Sequence, residues 1–170
     1  MAEIPHPDSA AIAINCAVIT VSDTRTVETD RSGQLVQQRL SEAGHRVAAY
    51  TIIKDEPAQI RAQLEQFGLQ SAVDAVIVNG GTGIAPRDTT YDAIAGLLDK
   101  TLPGFGELFR WLSYQDIGSR AMASRAIAGV YRGRLVFSIP GSTGAVDLAM
   151  QSLILPELRH LVRQIQAGSH

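Results

Sequence analysis

The chain has 170 residues, 45% of them hydrophobic and 19% charged, a balance that suits one globular domain with a full core and excludes disordered and collagen-like chains. A formal net charge of -2 with 5% aromatic residues leaves neither a basic stripe nor stacking platforms for nucleic acid, and no apolar run approaches membrane-spanning length. The opening residues MAEIPHPDSAA lack the charged and apolar regions of a signal peptide, so the expectation is a cytoplasmic protein with no nucleic-acid or membrane partner.

In chain order, Cys16 to Val21 reads as a short β-branched strand, and Cys16, the single cysteine, reads as a small core residue. From Ser32 the apolar positions Leu35, Val36, Leu40 and Ala43 recur at helical spacing until Gly44 stops them. Val47 to Ile53 predicts a second strand and Glu56 to Phe67 a second helix, with Ile60, Leu64 and Phe67 on one face. Val73 to Val78 is a continuously apolar third strand, and Thr90 to Leu98 the helix after it. Past Pro103, the segment GFGELFRWLSYQDIG puts Phe105, Leu108, Phe109, Leu112 and Ile117 on a broad apolar helical face ending at Gly118. Ala126 to Tyr131 and Leu135 to Ile139 flank the turn Arg132-Gly133-Arg134 as a hairpin. Helices from Val146 to Leu155 and, past Pro156, to Ile165 complete the chain. Successive strand-helix units with a late hairpin predict a three-layer α/β/α fold, its sheet mostly parallel with an antiparallel edge. Residues 1–13 are expected to be flexible, 14–166 to form one domain and 167–170 to fray.

Each strand breaks into polar residues: Ser22-Asp23, Lys54-Asp55, the stretch Asn79 to Gly83, and Pro140 to Gly144. In an open parallel sheet such breaks share one edge, the usual ligand crevice. The stretch NGGTGIAPRDTTYDAI is the most telling, because Gly80, Gly81 and Gly83 let backbone amides approach an anion ahead of a helix start. Arg87 offers a forked contact to phosphate and Asp88 a carboxylate able to hold a metal ion. Asp55 admits a structural reading as a helix cap before Glu56-Pro57, whereas Thr89 with Asp92 resembles a capping box and leaves Asp88 without a structural duty. Phe105, Phe109 and Trp111 read as core or subunit contact. There is no G-x-x-x-x-G-K-[ST] loop, and Gly81 to Pro86 fails the dinucleotide pattern because proline occupies the third glycine position. His6, His45, His160 and His170 are too scattered for zinc.

With TVSD before it and SIPGSTGA after it, GGTGIAPRDTTYDAI resembles the MoaB/Mog family of molybdenum cofactor biosynthesis, over Cys16 to Leu161; GFGELFRWLSYQDIGSRAMASRAIAG looks most like the MoaB branch. The resemblance implies molybdopterin binding and adenylation of its terminal phosphate by ATP with Mg2+, giving adenylylated molybdopterin and pyrophosphate. It implies that Asp55 and Asp88 are the catalytic, metal-holding aspartates, and that Gly80, Gly81, Thr82, Gly83 and Arg87 bind substrate. Pro140, Gly141 and Ser142 match the second binding loop, and Asp23, Asp30, Arg31 and Ser32 match the segments lining the same pocket. It further implies a homotrimer or homohexamer, with molybdopterin synthase and the metal-insertion protein as partners. Two other readings share these residues: a non-catalytic molybdopterin-binding or carrier protein, and a nucleotide-processing domain of the competence-damage type.

Overall fold

The computed structural model describes residues 11–168 and contains one six-stranded sheet of order β2-β1-β3-β6-β5-β4. Strands β1 (Asn15–Val21), β2 (Arg46–Ile53), β3 (Ala75–Asn79) and β6 (Arg134–Ile139) are parallel to one another; at the edge β5 (Ile127–Tyr131) is antiparallel to β6, and β4 (Lys100–Thr101) is antiparallel to β5. Two helices, α2 (Pro57–Leu69) and α3 (Thr90–Ala95), pack on one face. The other face carries α1 (Arg31–Glu42), α4 (Pro103–Ile117), α5 (Thr143–Ala149) and α6 (Leu155–Ala167).

Alternation along the strands explains why two layers form. Cys16 and Val18 point to the α1 side and Ala17, Ile19 and Val21 to the α2 side, all buried, so a strand with apolar residues on both faces needs cover on both. Phe105 of α4 stands edge-on to Phe137 of β6 with centroids 5.1 Å apart, which fixes α4 to the sheet. Burial pushes the Cys16 thiol up to about 12, with Asp74 adding to the rise, so it stays a neutral packing group.

The three-layer α/β/α fold with its antiparallel edge hairpin is as expected, and four local features differ. Strand β4 has no sequence signal, being two exposed residues that pair with Val130 and Gly129. Helix α3 ends at Ala95, and the following Leu97 and Leu98 amides turn back to the Ile94 carbonyl. Pro156 does not separate two helices: a π-helical turn over Met150–Ile154 joins α5 to α6, and Pro156 falls in the first turn of α6, where its missing N–H is harmless. On α4 the buried apolar side chains are Phe105 and Phe109, with Gly106 and Ser113 buried beside them; Leu108 and Ile117, expected on the same face, join Trp111 and Tyr114 in an exposed stripe at three-residue spacing.

The limits expected at residues 1–13 and 167–170 fall largely outside the described residues; Ile14 is buried, and Arg159 holds the Ile12 carbonyl at 2.8 Å. Beside it, His45 is buried, its Nδ1 accepting the Ile14 N–H at 3.1 Å, while its Nε2 has no partner among the described residues. Burial, helped by the charge of Arg159, holds the His45 pKa below its ordinary value. No helix among the described residues is long and apolar enough to cross a membrane.

Candidate functional site

The carboxyl ends of β1, β2, β3 and β6 gather the polar breaks on one edge of the sheet. Leaving β3, Gly80 donates its N–H to the Ile139 carbonyl at 3.0 Å and Gly81 accepts from the Thr90 N–H at 3.2 Å, with φ of 104° and 67° respectively. These angles belong to glycine, and space forbids anything larger. A Cβ on Gly80 would lie 2.3 Å from the Val21 carbonyl oxygen, and one on Gly81 2.1 Å from Thr90 Oγ1 and 2.5 Å from Asp55 Oδ2. The next amides are left without a bond: among the described residues, the N–H groups of Gly81, Thr82, Gly83 and Ile84 make none within the chain. A row of free amides is a cradle for an anion.

Asp55 does not cap the helix that follows it. It is buried, and its Oδ1 accepts from the Thr89 N–H at 3.2 Å, Thr89 Oγ1 at 2.7 Å and Thr90 Oγ1 at 3.2 Å, so it closes the start of α3 while Oδ2 stays beside Gly81. The expected capping box is absent, because Thr89 donates to Asp55 and Asp92 pairs with Arg125 at 3.1 Å. Asp88 does have a local duty: its Oδ2 accepts the Ala85 N–H at 3.1 Å, closing the turn that carries Arg87. Its carboxylate also borders Gly83, where a Cβ would come within 2.5 Å of it.

Arg87 directs its fork at protein rather than outward. Nε and Nη2 reach Asp23 Oδ2 at 3.2 and 2.8 Å, and Nη1 reaches Glu56 Oε1 at 2.9 Å. This hydrogen-bonded pairing holds the Asp23 carboxyl below its usual range and raises Arg87 further. Asp23 Oδ1 also accepts the Asp55 N–H at 3.2 Å, so the loops after β1, β2 and β3 are strapped together.

The second glycine loop closes the other side. Ser142 caps α5 by accepting the Ala145 N–H at 3.2 Å, and Pro140 lies half-buried before Gly141, whose Cα faces Gly80 closely enough that a Cβ would sit 3.2 Å away. The Gly141 carbonyl accepts from Arg25 Nη2 at 3.1 Å and from the Ser32 hydroxyl. Asp30 is fully buried, caps α1 through the Gly33 N–H at 2.9 Å and accepts from Tyr50. Burial, helped by that bond, raises the Tyr50 phenol well above its usual range. Asn79, also fully buried, donates to Thr20 Oγ1 at 3.0 Å. Arg31 is exposed in the first turn of α1. An open cavity of about 440 Å³, lined by Ser22, Asp23, Arg25, Val27, Ile53 and Lys54, adjoins Asp23. Another of about 430 Å³ lies at the opposite end of β6 around Gly133 and Leu135 and includes no site residue.

Thus Asp23, Asp55, Arg87, Asp88 and the Gly80 to Gly83 run come together, with Pro140 to Ser142 facing them, while Asp30 and Ser32 support the second loop from beneath. Among the described residues no three His, Cys, Asp or Glu side chains form a metal cage. Asp55 and Asp88 each keep one oxygen outside the bonds above, a donor set that suits Mg2+, whose shell is commonly completed by water and substrate phosphates. Sequence reasoning missed Arg25 and Arg125. Arg125 precedes β5, and its guanidinium donates to the carbonyls of Thr82 at 3.3 Å and Gly83 at 2.7 Å and lies 4.8 Å from the Tyr91 ring centroid. A lone arginine forty residues downstream carries no signal that it will land there.

Residues 17–160 match the family described as "Probable molybdopterin binding domain". The Molybdenum cofactor biosynthesis protein B of Bacillus subtilis is 56% identical over 162 residues, 95% of each chain. A crystal structure of a Molybdenum cofactor biosynthesis protein B has a TM-score of 0.91 at 51% identity, covering 94% of this chain and 99% of that one. The tungsten cofactor synthesizing protein MoaB of Pyrococcus furiosus follows with a TM-score of 0.80 at 37% identity, covering 90% and 97%. The chain belongs to the MoaB/Mog family of molybdopterin-binding domains.

Proposed function

We propose that this protein works in molybdenum cofactor biosynthesis as a molybdopterin adenylyltransferase. The carrying observation is the row of free amides from Gly81 to Ile84 flanked by Asp55 and Asp88, which sets an anion cradle between two carboxylates. The relatives named above support the pathway; the cradle and its carboxylates support the chemistry.

In this reading an oxygen of the molybdopterin phosphate attacks the α-phosphorus of ATP, a new P–O–P bond forms, and pyrophosphate leaves. No covalent enzyme intermediate is needed. Two anions must meet, so catalysis consists of alignment and charge neutralisation. Amides of Gly81 to Ile84 hold one phosphate, and the Pro140 to Ser142 loop bounds the pocket opposite. Asp55 and Asp88 would hold Mg2+, which supplies positive charge against the phosphate oxygens. Arg87, tied to Asp23 and Glu56, keeps the loops in register. Placement in the cytoplasm, between molybdopterin synthase and the metal-insertion protein, completes the proposal. The exposed stripe Leu108, Trp111, Tyr114 and Ile117 is the surface we assign to self-association as a trimer or hexamer.

A binding or carrier role without catalysis is the second reading. It is favoured by one observation: Asp55 Oδ1 and Asp88 Oδ2 already serve the backbone and hydroxyls of their own loops. Asp88→Ala separates the two. Adenylyl transfer, followed as adenylylated product and pyrophosphate from molybdopterin, ATP and Mg2+, is expected to fall by about a hundredfold or more while molybdopterin binding stays measurable. Full turnover by that variant rejects the role of Asp88, and binding without product in the unaltered protein selects the carrier.

A further inference from the structure

Arg125 uses its whole guanidinium on the protein. Nη2 donates to the Gly83 carbonyl at 2.7 Å with a longer contact to the Asp88 carbonyl at 3.5 Å, and Nε donates to the Thr82 carbonyl at 3.3 Å. Nη1 grips both oxygens of Asp92 at 3.1 and 3.2 Å, and the planar group stacks on Tyr91. With every edge engaged, it has no donor left for a substrate, so any part it plays in the reaction passes through the loop it holds.

What it holds has a direction. A peptide unit is planar and trans, so its carbonyl and its N–H point opposite ways. The Thr82 carbonyl shares a peptide with the Gly83 N–H, and the Gly83 carbonyl shares one with the Ile84 N–H. Both carbonyls turn toward Arg125, and both N–H groups are among the unbonded amides. At the Thr82–Gly83 peptide the opposite orientation is sterically open, because Gly83 accepts either sign of φ, and it would present a carbonyl oxygen to the incoming phosphate; the Gly83–Ile84 peptide, whose reversal Ile84 resists, is held in the same sense by the shorter bond. We propose that Arg125 is a positioning residue that sets the polarity of the anion cradle: it draws the carbonyls of Thr82 and Gly83 to its own side and so turns the Gly83 and Ile84 amides toward the phosphate. Its positive charge also polarises those peptides, strengthening their donors. Asp92 and Tyr91, both from α3, keep the guanidinium in place, which links the cradle to the helix whose start Asp55 closes.

The assignment rests on the proposed function, and the test keeps their failures apart. In Arg125→Ala the KM of the substrate whose phosphate the cradle holds, molybdopterin or ATP, is expected to rise about tenfold, the loss of one charge-reinforced interaction, while the KM of the other moves by about twofold or less; two unchanged KM values count against the assignment. Arg125→Lys does not rescue it, because a single ammonium cannot span both carbonyls and Asp92. Independently of turnover, inorganic phosphate added to 15N-labelled protein is expected to shift the amide resonances of Gly83 and Ile84 in the unaltered chain and to leave them nearly still in Arg125→Ala. Should Arg125→Ala fail to fold, Tyr91→Leu removes only the stacking ring and gives a smaller shift in the same sense. A variant that loses thermal stability but keeps its KM and its phosphate-induced shifts overturns the assignment and leaves the adenylyltransferase reading intact. An unaltered protein that binds neither molybdopterin nor phosphate at these amides overturns both.

Discussion

Two glycine-rich loops face each other across the site, and each has an arginine on a glycine carbonyl, yet they are built differently. The Gly80–Gly83 loop takes left-handed angles at Gly80 and Gly81, and Arg125, bonded to the Gly83 carbonyl at 2.7 Å, is neutralised by Asp92 and stacked on Tyr91. The Pro140–Gly144 loop has no positive φ; Arg25 reaches the Gly141 carbonyl at 3.1 Å, with Asp30 the nearer carboxylate at 3.7 Å and a third of its side chain exposed. In the first loop glycine is demanded by the backbone itself. In the second it is demanded by space, because Gly141 lies against Gly80, and at Gly144 by neither. A locked loop therefore faces one whose constraint is contact with its neighbour.

Alanine substitutions grade this difference. Gly81→Ala combines a left-handed angle with overlap onto Thr90 and Asp55 and is expected to cost roughly 3 to 5 kcal/mol, lowering the thermal midpoint by about 10 °C and removing activity. Gly141→Ala meets only the Gly80 Cα and Arg25 and should cost about 1 kcal/mol, a midpoint shift of about 3 °C, with weaker molybdopterin binding as the clearer readout. Gly144→Ala, in the first turn of α5 with nothing within 4 Å of the added carbon, should be neutral or raise stability by about 0.5 kcal/mol. Calorimetry on the three variants checks the order. Equal costs at Gly81 and Gly141 would erase the distinction, and a stable Gly81→Ala would show that the first loop is not locked by its backbone.

The order of strands and helices was legible because their apolar periodicity is local, from Cys16–Val21 through Leu135–Ile139. The turn Arg132-Gly133 was legible for a similar reason, both residues adopting positive φ as a tight hairpin requires. Strand β4 was not, since Lys100 and Thr101 are exposed and become a strand only through β5. Pro156 misled because proline is harmful inside a helix but not in its first turn, and the π turn before it that makes this possible has no composition of its own. In the site, the glycines and aspartates stood out by type, while their partners did not. Thr89 looked like the start of a capping box, but tertiary structure sets Asp55 beside its hydroxyl and Arg125 beside Asp92, and both contacts outweigh the local motif. Arg125 and Arg25 act across 42 and 116 residues of chain, distances over which spacing carries no information.

His45 gives the fold a response to acid that has nothing to do with the site. Its Nδ1 accepts the Ile14 amide, so the proton resides on Nε2, buried with no partner among the described residues, and a second proton would have to displace that amide. Because its pKa is lowered on folding, the unfolded chain takes up the proton first. The associated stability is whole above the unfolded value of about 6.5, drains away as pH falls beneath it, and stops changing only below the folded value. Acidification thus acts on the seam joining β1 to β2 and α6, away from the glycine loops, and His45→Gln would flatten that part of the melting profile.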